Sequence, residues 1–232
     1  MANKPIYHAI IQAPYYEAVS VDYQFYSGFA LSQKQKSIRS LHEQYIKRNP
    51  NCKILEISTK STSALGVSLS AFNLNIQTSK RTFSVECAFQ SSKVFEYGGP
   101  YIDLLNKNSR DAKKDPRLHE SGKLLKFHYF NLEFPLEPKD YFYNWLYINA
   151  LNLNTELTSK ILHYDSFSDI EFNPNKSINC QAKAAAIFVG LSKQHLLDEA
   201  IKSRDEFLKI VYGIDSAEQY NQLSFSFDDS SI

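Results

Sequence analysis

The chain of 232 residues lacks most of the features that announce a function directly. Its three cysteines, Cys52, Cys87 and Cys180, lie far apart and form no CxxC pair. That argues against a zinc site and a disulfide framework, and fits a reducing cytosol. The six histidines never fall at i, i+4 spacing, so no metal is expected. There is no Ser-His-Asp signature, no phosphate loop and no internal repeat. No stretch reaches the roughly 18 apolar residues of a membrane span. The opening MANKPIYHAIIQAPYYEA has no apolar run of the signal-peptide kind. The expectation is a cytoplasmic protein without a membrane partner or cofactor. A net charge of +1 supplies no global field for nucleic acid, so any such contact must come from a local patch.

Aromatic residues are plentiful, with 15 Tyr and 16 Phe. Tyrosine joins an apolar body to a polar tip, so this bias suits a wet binding face as well as it suits a core. Along the chain, residues 1–24 read as an irregular lead-in with a short strand. LSQKQKSIRSLHEQYIKRN (31–49) has Ile38, Leu41 and Tyr45 at helical spacing, Ser32 as a cap, and a stop at Asn49-Pro50. Residues 53–61 alternate like a strand, 70–73 read as a turn, and 78–81 as a hairpin connection. Residues 84–99 read as one helix capped by Ser84 and ended by Gly98-Gly99, with Pro100 opening the next. Two helices follow over 138–164. A short strand carries Asp169 and Glu171, an alanine-rich helix starts near 179, and an amphipathic helix spans 192–213, closed by Gly213. Helices outnumber short strands, so the predicted class is α+β, mainly helical. The predicted organisation is a single domain over 1–232, with its core at about 25–195 and a loosely held tail at 222–232.

The segment SVECAFQSSKVFEYGG (84–99) raises a physical question. A helix advances about 100° per residue. Glu86, Gln90 and Lys93 then share one face within roughly 60°, opposite Val85, Ala88, Phe89 and Phe95. Buried charge is costly unless it is paired or lines a wet cavity. Two readings stand at this point. One is an internal Glu86–Lys93 pair or a solvent-facing stripe; the other is the wall of a ligand pocket.

SVECAFQSSKVF resembles the signature helix of the NADAR family. LSAFNL (69–74), SRDAKK (109–114) and DIEFNPNKSINCQAKAAAIFVGL (169–191) are similar to further segments of that family, in the same order. Ala71 stands where the family usually has Asn, and the family's Trp-Gly stretch is missing. Over roughly 25–195 the chain resembles one branch in particular, the antitoxins found beside DNA-modifying ADP-ribosyltransferase toxins of the DarTG type. The resemblance implies a YbiA-like fold and an ADP-ribosyl hydrolase, an N-glycosidase that removes ADP-ribose from guanine in DNA. A sister branch acts on riboflavin-pathway intermediates. A non-catalytic module that binds ADP-ribose or the toxin is a third possibility. The partners implied are ADP-ribosylated, single-stranded DNA and a cognate toxin.

The residues suit that chemistry. Breaking a ribose–nitrogen bond builds positive charge on the sugar and needs a proton on the leaving nitrogen. Glu86 is the first candidate carboxylate and Asp169 the second, with Lys93 as acid, base, amine nucleophile or phosphate contact. Candidate substrate contacts are Lys60, Ser70, Phe72, Phe89, Gln90, Gly99 and Asn179. Asn179 and the helix start behind it suit a pyrophosphate, although an ordinary cap explains the residue too. Trp145 could stack on a base or fill the core. Lys34, Lys36 and Arg39 form the candidate nucleic-acid contact, with the basic stretch at 110–117 as another. A plain solvated helix face accounts for the first of these equally well.

Overall fold

The computed structural model describes residues 2–215, and the expected tail at 222–232 lies outside that range. Residues 2–24 correct the first expectation, because they build a long hairpin. β1 (Ala2–Ala9) and β2 (Tyr16–Tyr23) pair antiparallel from end to end. Pro5 gives β1 no N–H at its position, a gap that a central strand seldom accommodates. It is tolerated because β1's other neighbour pairs only at Tyr7 and His8. α1 (Leu31–Arg48) follows, starting after Ala30 rather than being capped by Ser32, and ending before Pro50. β3 (Ile54–Glu56) is shorter than its alternation implied, and α2 (Ala64–Ser68) leads into the expected turn at 70–73. β4 (Asn75–Gln77) and β5 (Thr82–Ser84) close the expected hairpin, with Thr78 N–H donating to Arg81 O at 2.9 Å.

α3 (Val85–Ser91) begins where expected. Ser84 Oγ accepts from Cys87 N–H at 3.1 Å. It ends far sooner. The Ser91 and Ser92 hydroxyls turn back onto Ala88 O at 3.0 and 2.7 Å, an alternative partner for the backbone of the last turn. The chain then straightens into β6 (Lys93–Phe95), whose β-branched and aromatic residues favour a strand. Gly98-Gly99 therefore turns the chain after a strand instead of ending a helix. A 3-10 helix at Ile102–Asn106, α4 (Ser109–Lys113) and α5 (Arg117–Glu120) come next. β7 (Leu124–Tyr129) and β8 (Leu132–Phe134) complete an antiparallel sheet in the order β6-β7-β8.

α6 (Tyr141–Asn152) is apolar almost all round and runs through the core, with Tyr141 to Ile148 buried in succession. α7 (Thr155–Ile161) leads to β9 (Ser166–Ser168), which pairs with β1 on one side and lies parallel to β3 on the other. The resulting sheet has the order β2-β1-β9-β3. The alanine-rich segment forms α8 (Gln181–Lys193). The amphipathic stretch expected as one helix over 192–213 divides into α9 (Leu197–Ile201) and α10 (Arg204–Tyr212). Ser203 caps α10 through Glu206 N–H at 3.1 Å, and Gly213 (φ 68°) ends it in the left-handed region.

Side-chain alternation along β1 sorts the core into layers. Ile6 points into a small cluster with Ile38, Leu41 and Tyr45 of α1, whereas Tyr7 and Ala9 join the main core with α6 and α8. The small residues of α8 let it settle directly on the hairpin. A Cβ on Gly190 would stand 2.5 Å from Ile10 O and 2.6 Å from Tyr15 O. Gly190→Ala should therefore cost about 1–3 kcal/mol by overpacking, read as a lower urea midpoint with an unchanged denaturant slope.

Candidate functional site

The short α3 and the strand that follows it open a cleft of about 720 Å³. One wall is α3 with β6 and β7, contributing Glu86, Phe89, Gln90, Lys93 and Phe127. The floor is Tyr143 of α6 and the turn Ser70-Ala71-Phe72. The opposite wall is the segment after β9, from Asp169 to Asn179, together with Gln181 at the start of α8.

Glu86, Gln90 and Lys93 converge here by a route the periodicity did not foresee. Glu86 and Gln90 are one helical turn apart, and Gln90 Nε2 donates to Glu86 Oε1 at 2.8 Å. Lys93 reaches the same space from β6, with its ammonium 5.0 Å from the centre of the Phe89 ring. The Glu86 carboxylate is 6% exposed, and its ion pair is with Lys113 Nζ at 3.7 Å rather than with Lys93. Burial pushes the Lys93 amine down to about 8; Glu86 opposes that shift and Lys113 adds to it. Gln90 Oε1 is buried without a partner. Burial pushes the proton affinity of the Tyr143 hydroxyl well up, and the charges of Glu86 and Asp169 add to that shift.

Asp169 does not alternate with Glu171 on a strand. β9 ends at Ser168, and Asp169 Oδ1 accepts from the N–H groups of Glu171 and Phe172 at 3.0 and 3.1 Å, curling the chain into a turn. Asp169 is buried and Glu171 is exposed, though both line the cleft. Burial and the nearby charge of Glu56 push the Asp169 carboxyl up to about 7, with Lys4 opposing. The turn is held from behind. Lys4 Nζ donates to the carbonyls of Asp169, at 3.3 Å, of Ile170, at 2.7 Å, and of Phe172. Glu56 Oε1 accepts from Ser58 Oγ at 2.7 Å and Ile170 N–H at 2.8 Å, while Oε2 accepts from Ser168 Oγ. His42 Nε2 bonds Ser168 Oγ at 2.8 Å, and burial lowers its proton affinity to about 4.

Of the substrate contacts expected from sequence, Ser70, Phe72, Phe89, Gln90 and Asn179 line the cleft. Asn179 is not the cap of α8, which is Cys180. The buried Asn179 Oδ1 is without a partner. Lys60 is outside the lining; Ser58 and Thr59 face the cleft in its place. Gly99 is outside it as well. Its φ is 86°, and a Cβ there would stand 2.2 Å from Lys93 O, so it supports the backbone of β6 from behind. Lys34, Lys36 and Arg39 are on α1, away from the lining. Trp145 is 8% exposed and packs against Phe134 and Tyr129 in the core.

Tyr143, Lys113, Lys139, Lys176 and Gln181 line the cleft without having been named as contacts. Gln181 ties three segments together. Its Oε1 accepts from Ala71 N–H at 2.7 Å and its Nε2 donates to Ile57 O at 2.8 Å. Only Lys113 had a sequence signal, as part of the basic stretch at 110–117. Away from the cleft, His8, Cys52 and Asp165 offer ligand atoms within 4.8 Å of one another, a grouping that sequence spacing could not reveal. Ser166 Oγ already bonds both His8 Nδ1, at 3.0 Å, and Asp165 Oδ1, at 2.8 Å.

A half-enclosed cleft with a buried carboxylate, an amine of lowered proton affinity and a carboxyl of raised affinity defines a candidate site for ligand binding or acid–base chemistry on an α+β scaffold. The chain belongs to the family of DarT1-associated NADAR antitoxins, whose match covers residues 2–221. No curated protein matches the chain. Among the described residues, no helix is long and apolar enough to cross a membrane.

Asp169 makes the cleft sensitive to pH. Its proton affinity in the folded chain exceeds its ordinary value, so its contribution to stability is complete below about pH 4 and is lost as pH rises through about 7. Asp169→Asn, a mimic of the neutral acid, should unfold at a higher temperature than the unmodified chain at pH 8. The gap should close toward pH 4, as followed by circular dichroism.

Proposed function

We propose that the chain is an ADP-ribosyl hydrolase that removes ADP-ribose from guanine bases in DNA, and so reverses the modification made by a DarT1 toxin. The observation that carries this reading is the meeting of Glu86 and Lys93 in one cleft, on the segment that bears the family's signature. The family match supports an association with that toxin. The remaining lysines of the cleft, Lys113, Lys139 and Lys176, provide positive charge suited to a pyrophosphate.

In this reading the bond between ribose C1′ and the guanine nitrogen breaks, and its electron pair leaves with the base. The Lys93 ammonium gives that nitrogen a proton. The Glu86 carboxylate faces the positive charge growing on the ribose and takes a proton from the attacking water, whose oxygen bonds to C1′. Return of that proton to Lys93 restores the site. Net, one water is consumed, and ADP-ribose and unmodified guanine are released. Asp169, able to hold a proton near neutrality, hydrogen-bonds the ribose hydroxyls from the opposite wall. Gln90 Oε1 and Asn179 Oδ1 are open acceptors for further substrate donors.

Incubation with an ADP-ribosylated guanine oligonucleotide tests this directly, with the adduct quantified by chromatography. Glu86→Gln should lower the rate by about 10²–10⁴-fold while adduct binding persists. An adduct that the unmodified chain leaves intact, however long the incubation, would refute hydrolysis. Tight binding alone would then point to an ADP-ribose-binding module, and turnover of a small nucleotide alone to the sister chemistry. A second signature is the pH profile. The rate should fall above about pH 8 as Lys93 loses its proton. Lys93→Arg, which keeps its charge through that range, should be slower at every pH and lack that alkaline limb.

A further inference from the structure

An exposed aromatic arch leads into α1. Phe25, Tyr26 and Phe29 are 44%, 37% and 106% exposed. Three exposed rings within five residues of chain are candidates for a surface that something covers. The arch is tied down, since Tyr26 N–H donates to Ser37 Oγ at 2.9 Å and Gln24 N–H to Ser40 Oγ at 3.0 Å. Cations are interleaved with the rings. Lys34 Nζ is 6.0 Å from the centre of the Phe25 ring, and Lys36 Nζ is 6.0 Å from that of Tyr26. Arg39 is exposed on the same helix, and the first turn of α1 carries no acid.

The arch lies outside the cleft lining. The charge of Lys34 bears on Lys4, and Lys4 grips the carbonyls of Asp169, Ile170 and Phe172 in the cleft wall. A patch of one sign, on a chain of net charge +1, is local by construction. Exposed rings, two of them with an ammonium over one face, match unpaired bases linked by phosphates: the base stacks and the phosphate meets the cation. A duplex keeps its bases stacked inside and cannot offer those faces.

The geometry points to a track for single-stranded nucleic acid on this face, with Phe25, Tyr26 and Phe29 stacking bases and Lys34, Lys36 and Arg39 meeting phosphates. It rests on the proposed function in one respect, that the strand bound here carries the modified base taken up by the cleft. The track itself is testable without turnover.

Fluorescence anisotropy of the full chain with a labelled, unmodified single-stranded oligonucleotide and with its duplex is the decisive measurement. Phe29 touches no core, so Phe29→Ala should keep the unfolding temperature and weaken single-strand affinity about five- to fiftyfold. The triple variant Phe25→Ala, Tyr26→Ala and Phe29→Ala should weaken it further, and both should affect the duplex far less. Lys34→Glu with Arg39→Glu should flatten the dependence of log affinity on log salt by roughly 0.7 for each phosphate that is no longer neutralised. Single-strand affinity unchanged in the triple variant, or an equal loss for both forms of DNA, would overturn the track. So would a triple variant that loses binding to a DarT1 toxin while keeping the oligonucleotide, because the arch would then be a protein-docking face. Ring-dependent binding by a chain that releases no ADP-ribose would uphold the track and reject only the hydrolytic reading.

Discussion

Glu56 is the buried carboxylate on which the far side of the cleft depends. It belongs to β3, yet it bonds Ser168 at the end of β9, the backbone of Ile170 beyond it, and its own neighbour Ser58. Lys4, from β1, supplies the compensating charge and holds the carbonyls of Asp169, Ile170 and Phe172. A buried charge left without such partners would be prohibitive, and removing one member of a satisfied network costs more than the network gains in net stability. Three strands of the sheet and the Asp169 turn are thereby locked in a single arrangement. The cleft wall is fixed by the sheet rather than left to a free loop.

The same desolvation acts on the two ionisable groups that matter most in opposite chemical senses. It lowers the proton affinity of Lys93 and raises that of Asp169, so both move toward neutral pH. Each group can change its charge at small cost within the range where a cell operates. Surface groups of the same types would sit firmly in one state. The half-enclosed shape therefore serves as more than a container, because it sets the chemistry its walls can perform.

Much of this was legible in the residues, and the failures have physical causes. Ser84 as a cap, the hairpin over 78–81 and the alanine-rich helix are local matters of hydrogen bonding and turn chemistry, and they form as expected. The early end of α3 was hidden because Val94 and Phe95 continue an apolar pattern that a helix and a strand share, and the two serines that stop it carry no strong breaker signal. The convergence of Glu86 with Lys93 survived that error, since strand and helix deliver the lysine to the same space. The β1–β2 hairpin was missed because residues 1–24 mix polar and aromatic types. Lys60 falls one residue past Thr59, where this segment leaves the cleft lining. Tyr143 looked like any other ring in an apolar helix, and only tertiary packing brings it into the cleft lining.

The parallel pairing of β3 with β9 joins residues 54–56 to residues 166–168. Pairings so distant along the chain require a large loop to close before they give anything back, which slows folding. On the ribosome, the earlier strand has no neighbour on that edge until the residues up to Ser166–Ser168 have been made. The cleft gains its second wall later still, with the turn that follows β9. Whatever enters the cleft therefore meets both walls only once the residues from Asp169 to Gln181 have been made and packed.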